Sequence, residues 1–214
     1  MTNKTTTICC AVALLATTAA TPALSQAKNF AGPSIAIGAG YSSQTYTGKL
    51  TADLDELAID NGKNDFASLI DLSYGINLEK NFSLSIGGTY DLTKSKVKLV
   101  DLNGDNVSTE LKDHYSIYIQ PTYLINDSTG IFGKLNYNFA KNVGKITGTT
   151  ESSTKDLEGW GYGLGIKTFL NANTFVQVEG NYVDYDTHSA TIDGDVISVN
   201  PKVLSALISI GYKF

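Results

Sequence analysis

The sequence predicts an all-β fold, an eight-stranded antiparallel up-and-down transmembrane β-barrel. Three observations lead there. From residue 34 onward apolar residues alternate with small or polar ones at period two, very short links alternate with long ones, and the chain opens with an export signal. At 214 residues, with 17% charged and 42% apolar, the chain suits one domain. The 16 basic residues are all Lys, set against 21 acids, which makes a poor nucleic-acid binder because phosphate contacts need clustered positive charge. No stretch beyond the first 25 residues approaches the ~18 apolar residues of a spanning helix.

Residues 1–27 read as a secretory signal peptide: Lys4 is the only charge, an apolar run covers Ile8 to Ala16, and Ser25-Gln26-Ala27 offers a small-residue cleavage site before Lys28. Cleavage after Ser25 is the alternative. Cys9 and Cys10 sit early in the apolar run and read as small apolar residues, not as lipid acceptors. The remaining 28–214 then holds no cysteine, hence no disulfide framework and no thiol nucleophile.

Eight alternating segments follow. In 34–46, Ile35, Ile37, Ala39 and Tyr41 oppose Ala36, Gly38, Gly40 and Ser42, and in 67–78, Ile70, Leu72, Tyr74 and Ile76 oppose Asp71, Ser73, Gly75 and Asn77. Segment 82–92 sets Phe82, Leu84, Ile86 and Tyr90 against Ser83, Ser85, Gly87 and Asp91. Segment 114–124 sets Tyr115, Ile117, Ile119 and Tyr123 against Ser116, Tyr118, Gln120 and Thr122. In 130–140, Ile131, Leu135, Tyr137 and Phe139 face away from Lys134, Asn136 and Asn138. In 159–169, Trp160, Tyr162, Leu164 and Ile166 face away from three glycines and Lys167. Segment 174–184 opposes Val176, Val178 and Tyr182 to Gln177, Glu179 and Asn181, and 202–214 opposes Leu204, Ile208, Ile210, Tyr212 and Phe214 to Ser205, Ser209, Gly211 and Lys213. A soluble sandwich would alternate too. The links decide: Glu79-Lys80-Asn81, Asn126-Asp127-Ser128 and Asn171-Ala172-Asn173 are short and alternate with long ones, and segments of about eleven residues match a tilted bilayer crossing.

The C-terminal run Leu204-x-Ala206-x-Ile208-x-Ile210-x-Tyr212-x-Phe214 resembles the tail that the barrel-assembly machinery recognises in small outer-membrane β-barrels, the OmpA/OmpX-like and opacity-type surface proteins of Gram-negative bacteria. The resemblance spans about 30–214 in pattern and is specific only in this last strand. It implies an assembly signal at Ile208, Ile210, Tyr212 and Phe214. Outer-membrane lipid, lipopolysaccharide and the assembly machinery are the implied partners, around a monomeric barrel in the cell outer membrane. The chain is expected to end at the barrel, without the peptidoglycan-binding domain of two-domain OmpA proteins.

Export orients the short turns toward the periplasm and the long links toward the medium. Those links carry the hairpin signals Asn61-Gly62, Asn103-Gly104, Thr147-Gly148 and Asp193-Gly194, flanked by strand-prone stretches such as Val97 to Val100 and Val196 to Val199. Strands are therefore expected to project beyond the membrane as a sheet, available to an extracellular ligand, with β-edge addition as one physical route. Asp101-x-Asn103-x-Asp105 departs from a calcium loop at Asn106 and Lys112, and a plain hairpin is the preferred reading. No cofactor or metal is expected.

An eight-stranded barrel is only wide enough for side chains to fill it. Asp71, Asp91 and Glu179 with Lys134, Lys167 and Lys213 are its expected interior charges, with Lys134, Lys167 and Glu179 at similar heights and no clear counter-ion for Asp71 or Asp91. Pairing is expected because a lone buried charge costs several kcal/mol. A structural plug is the preferred reading, and a gated polar pathway the alternative. Tyr41, Tyr90, Tyr115, Tyr137, Trp160 and Tyr182 near one end of the strands, and Phe82, Tyr123, Tyr212 and Phe214 near the other, fit two aromatic girdles. Catalysis has little support: His114 and Ser116 share one face, as in barrel lipid A deacylases, but that face points inward and no third orienting group is found. The function expected is surface interaction and envelope integrity, with a narrow porin-like or OmpW-like conduit as the alternative.

Overall fold

In the computed structural model the described residues are 28–52, 55–102, 105–146, 152–192 and 195–214. The expected signal segment 1–27 lies outside them. Among the described residues, a 3-10 turn at Lys28–Phe30 is followed only by strands: β1 Gly32–Ala52, β2 Asp55–Glu79, β3 Phe82–Asp91, β4 Ser95–Leu102, β5 Asp105–Leu124, β6 Thr129–Ile146, β7 Ser152–Phe169, β8 Thr174–Tyr185, β9 His188–Ile192 and β10 Asp195–Lys213. β3 and β4 are one barrel strand interrupted at 92–94, and β8 and β9 another interrupted at 186–187. The barrel therefore has eight antiparallel strands, and β1 pairing with β10 from Ser34↔Lys213 upward closes it.

Period-two alternation places one face of every strand inside and the other outside. The outside carries Ile37, Leu72, Ile86, Ile119, Leu164 and Ile208, all exposed, while Gln44, Asp71, Lys134, Asn138 and Glu179 are buried. That inversion of a water-soluble core is what a lipid-facing barrel requires. Room inside is created by glycine. A Cβ at Gly165 would collide with the Phe132 ring, and one at Gly211 with the Phe175 ring, so these positions seat the bulky interior rings.

The short links are tight turns. Asn126 Oδ1 accepts the backbone N–H groups of Ser128 and Thr129 at 2.9 and 2.8 Å, and Asn171 Oδ1 accepts those of Asn173 and Thr174 at 2.9 and 2.7 Å. The Asn side chain replaces a missing backbone partner, which is why Asn opens both turns.

At the opposite end the strands run on, to 21 residues in β1 and 25 in β2, well past the expected length. Asn61-Gly62 is not a hairpin tip: Asn61 pairs with Tyr46 and Gly62 with Thr45 inside the β1–β2 ladder. The reason is register. The ladder runs without a slip from Gly32↔Gly75 to Ala52↔Asp55, so the interior/exterior alternation in the membrane section carries the pairing straight through 61–62, and a local turn signal cannot break it. The tips expected at Asn103-Gly104, Thr147-Gly148 and Asp193-Gly194 lie outside the described residues. Leu102↔Asp105, Lys145↔Ser152 and Asp195↔Ile192 are paired on either side of them.

The projecting strands form two separate four-stranded sheets, β9–β10–β1–β2 and β4–β5–β6–β7. They part where β2–β3 pairing ends, just beyond Leu69↔Asp91, and where β7–β8 pairing ends, at Gly159↔Tyr185. Beyond those points the described parts of β2, β4, β7 and β9 are paired on one side only.

Candidate functional site: the polar interior and the projecting rim

The interior charges fall into two groups stacked along the barrel axis. In the deeper group the Lys134 ammonium donates to Glu179 Oε2 at 2.6 Å, stands 3.9 Å from Asp71 and lies 4.4 Å from the centroid of the Tyr118 ring. The Tyr118 hydroxyl donates to both Asp71 oxygens at 2.8 and 3.0 Å, and Gln177 Nε2 donates to Glu179 at 3.0 Å. Each carboxylate thus meets a cation and a neutral donor, the condition for burying an ion pair without a large penalty.

Lys167 does not join this group. Lys134 stands opposite Gly163 and Glu179 opposite Gly165, while Lys167 stands opposite Gln177, nearer the short turns. The stagger of a barrel offsets neighbouring strands, so equal counts from the short turns do not give equal heights. Its ammonium instead lies 3.8 Å from the centroid of Phe175 and 5.7 Å from that of Phe169, a cation held over aromatic faces. Lys213 sits at the short-turn rim, opposite Ser34.

Asp91 belongs to the upper group, and its partner is a residue the sequence offered only as a catalytic candidate. His114 Nδ1 and Asp91 Oδ2 are 2.6 Å apart, and His114 Nε2 lies 3.3 Å from Asn138 Oδ1. Asn138 Nδ2 then donates to Asn136 Oδ1 at 2.6 Å, and Asn136 Nδ2 to Asn181 Oδ1 at 2.8 Å. A β-bulge aims the imidazole. The β5–β6 register slips between Lys112 and Tyr115, and Asp113 there has φ 53°, in the left-handed region. Positive φ at a single Asp leaves almost no trace in a sequence. Asp71 and Asp91 therefore do not compete: each has its own partners, at different depths.

Between the groups lies a cavity of about 70 Å³ lined by Ser42, Gln44, Ser116, Asn181, Ser205 and Ser209 among others, roomy and polar enough for ordered water. Apolar clusters stand at both ends. Phe30, Ala36, Leu124, Phe169 and Phe175 pack at the short-turn end, with Phe30 edge-on to Phe169 at 5.0 Å. Leu111, Ala140, Leu157, Val183 and Tyr185 pack at the other. The Phe30 contribution escapes sequence reasoning because it arrives from the 3-10 turn and not from an alternating strand.

On the outside, Tyr90 pairs with Tyr115, Tyr115 stacks on Phe139 at 4.9 Å, and Tyr137 meets Phe139 and Trp160 edge-on at 5.0 Å each. Tyr162 and Tyr182 are 5.5 Å apart, and Tyr41 stands opposite Phe66, a ring not anticipated at that level. These rings lie on the outward face beneath the projecting sheets, in contact from Tyr115 to Trp160 and as separate pairs elsewhere. Tyr212 and Phe214 meet at 5.3 Å at the far end, where Ile208 and Ile210 continue the exposed face of β10.

A closed antiparallel barrel with an apolar exterior and a charged, packed interior defines a membrane-barrel class of protein. The chain belongs to the family of outer membrane protein β-barrel domains, whose model matches residues 9–214. Among solved structures it is similar to OprG from Pseudomonas aeruginosa, at 13% identity and TM-score 0.59, covering 87% of this chain and 98% of that one. It is also similar to Ail of Yersinia pestis, at 15% identity and TM-score 0.48 over 85% and 99% of the two chains, and to the protease OmpT from Escherichia coli, at 12% identity and TM-score 0.46 over 85% and 96%. The OprG likeness speaks to fold alone. No curated protein matches the chain.

Proposed function

We propose that the protein is a monomeric outer-membrane barrel acting in cell-surface interaction, such as adhesion or recognition, and in envelope integrity, without enzymatic activity. Its interior is a structural plug and its working surface is the pair of projecting sheets. The observation that carries this reading is the contrast between the two regions. Asp71, Asp91 and Glu179 each have a partner inside, Lys167 lies over aromatic rings and apolar side chains close each end, whereas the described parts of the projecting strands offer edges paired on one side only. An extended segment of a partner adds to such an edge through main-chain hydrogen bonds. Residues 1–27 serve as the export signal, removed near residue 27, and Ile208, Ile210, Tyr212 and Phe214 as the mark for the assembly machinery. Tyr41, Tyr90, Tyr115, Tyr137, Trp160 and Tyr182 anchor the outer interface.

The experiment pairs two measurements on refolded 28–214. Single-channel recordings in a planar bilayer should be silent once a heat-dependent gel shift shows folding. Shortening 97–110 or 187–198 should reduce retention of protein-bearing vesicles on cell monolayers without opening the barrel. A second reading, a narrow conduit for small solutes, draws on the cavity and on Lys134 reaching a second carboxylate at 3.9 Å. It requires reproducible conductance steps that change in Lys134→Ala, together with an unaltered response to loop shortening.

A further inference from the structure

At the root of the β4–β5 hairpin, β5 loses its ladder on both sides at once. Toward β3 its last rung is Tyr90↔Tyr115, and the next, with β4, is Ser95↔Leu111. Toward β6, Tyr115↔Phe139 and Lys112↔Lys141 flank the bulge, so no rung of these ladders falls on Asp113 or His114. The His114 side chain spans the gap, reaching Asp91 of β3 at 2.6 Å and Asn138 of β6 at 3.3 Å. Hydrogen-bond logic fixes its charge. The Gly159 carbonyl only accepts, so the Asn138 nitrogen faces it at 3.4 Å and the Asn138 oxygen faces the ring. Both ring nitrogens then meet acceptors, and the imidazole carries both protons. Around it, β8 brings the Tyr185 phenol, its ring centre 6.2 Å away, with Tyr46 of β1 beyond. On β2, Lys63 and Asp65 pair with each other at 2.9 Å, while Val203 and Ser205 of β10 line the same cavity as His114. Lower in that cavity Lys134 is committed to Glu179 and Asp71, which leaves Asp91 dependent on the imidazolium.

A second register is within reach. In the observed one Leu111 is buried inside, so Lys112 faces outward directly opposite Lys141, a like-charge rung that Asp113 and Asp156 offset in part. Setting Asp113 opposite Lys141 instead carries the Tyr115↔Phe139 register upward without a bulge, and those two side chains already stand 3.5 Å apart. The same one-residue slip turns Leu111 outward and Lys112 inward, which supplies a new cation on the face that holds Asp91. Residues 92–94, in neither β3 nor β4, provide the slack for β4 to follow, while β6 stays fixed by its unbroken ladder to β7. We propose that His114 is a proton-operated latch: charged, it pins the bulge and the β4–β5 hairpin in the observed register, and on losing its proton as pH rises it lets residues 105–112 slide one residue along β6. The latch needs no ligand, and it holds whichever surface of the barrel does the binding.

The test uses 28–214 refolded into phosphatidylcholine nanodiscs, with folding read by the heat-dependent gel shift. That segment has no cysteine and, in a His188→Gln background, His114 as its single histidine, so its ring nitrogens are followed by NMR without overlap. Two cysteine pairs report the register: Ser108→Cys/Lys145→Cys joins positions paired in the observed ladder, and Thr109→Cys/Lys145→Cys joins positions paired after the slip. Residues one step off a rung point to opposite faces, so each pair cross-links in one register only. The ratio of the two oxidative yields cancels the titration of the thiols themselves. The observed register should dominate at pH 6, with the ring doubly protonated, and the ratio should fall about tenfold as the ring titrates, one unit of differential proton affinity between the registers. His114→Gln should show the low ratio at every pH. Asp91→Asn should move the midpoints of the ring and of the ratio together to lower pH, and it carries the comparison should His114→Gln fail to fold. A singly protonated ring at pH 6, a ring that keeps both protons to pH 10, a ratio that stays constant while the ring titrates, or a pH course that persists in His114→Gln would each overturn the proposal.

Discussion

Replacing Lys134 by Met removes the cation that serves two buried carboxylates while keeping the aliphatic stem that packs on Tyr118. The Lys134 and Glu179 side chains are 4% and 8% exposed, so the carboxylate left behind has only the adjacent polar cavity from which to draw water. Breaking a buried pair by deleting one partner typically costs about 3–5 kcal/mol, most of it the stranded charge. Asp71 softens the loss because Tyr118 still donates to it, so the lower half of that range is expected for Lys134→Met. Removing both charges, in Lys134→Met/Glu179→Leu, should restore about half or more of the lost stability, because no uncompensated carboxylate then remains at position 179. The coupling between the two positions should be on the order of 1–3 kcal/mol. The assay is equilibrium urea unfolding in detergent micelles, followed by the heat-dependent gel shift and by the fluorescence of Trp160, the single tryptophan of the chain. A single variant within ~0.5 kcal/mol of wild type, or strictly additive losses, would refute the view that this pair is buried and mutually dependent.

Three further outcomes follow from other parts of the barrel. Tyr46, buried above the aromatic row, has its hydroxyl pushed up from 10.0 to about 12 by burial; the unfolded chain releases that proton first, so its contribution is full below pH 10 and fades as pH rises toward 12. Tyr46→Phe should therefore flatten the alkaline loss of stability in urea titrations over that window. Gly75→Ala should displace the Lys28–Phe30 turn, because its Cβ would collide with the Phe30 carbonyl oxygen, and should speed proteolysis at the N-terminal end; Gly133→Ala, where nothing lies within 4 Å, should not. Phe214→Ala should lower the amount of barrel inserted in cells while leaving refolding into pure lipid unchanged, and equal losses in both would remove the assembly-signal role.

Alternation made the wall of the barrel legible. Which face of β3 holds Asp91, or of β7 holds Trp160, follows from parity alone, because a strand inserted the wrong way would put carboxylates in lipid. Depth was less legible, as Lys167 shows: its distance from a short turn says nothing of the stagger that takes it away from Glu179 and places it over Phe175. The partner of Asp91 needed a bulge at Asp113 that no residue type announces. Asn61-Gly62 is a strong hairpin signal in isolation, yet the β1–β2 ladder passes through it, since a tip there would break the register that keeps Ile70 outside and Asp71 inside. Local turn preference is a matter of about a kilocalorie, while reversing a membrane strand exposes charges to lipid at several times that.

That ordering of magnitudes also bears on where function can reside. A variable binding surface must tolerate substitution, and the membrane section does not: its glycines seat rings at Gly165 and Gly211, its buried carboxylates have specific partners, and its short turns are closed by specific asparagine contacts. The projecting sheets take their register from the barrel below them, through unbroken ladders such as β1–β2 and β6–β7. In the proposed surface role, a stiff, filled barrel would hold two such sheets in place, and the interior pairs Lys134–Glu179 and His114–Asp91 would serve it by fixing the strands from which those sheets grow.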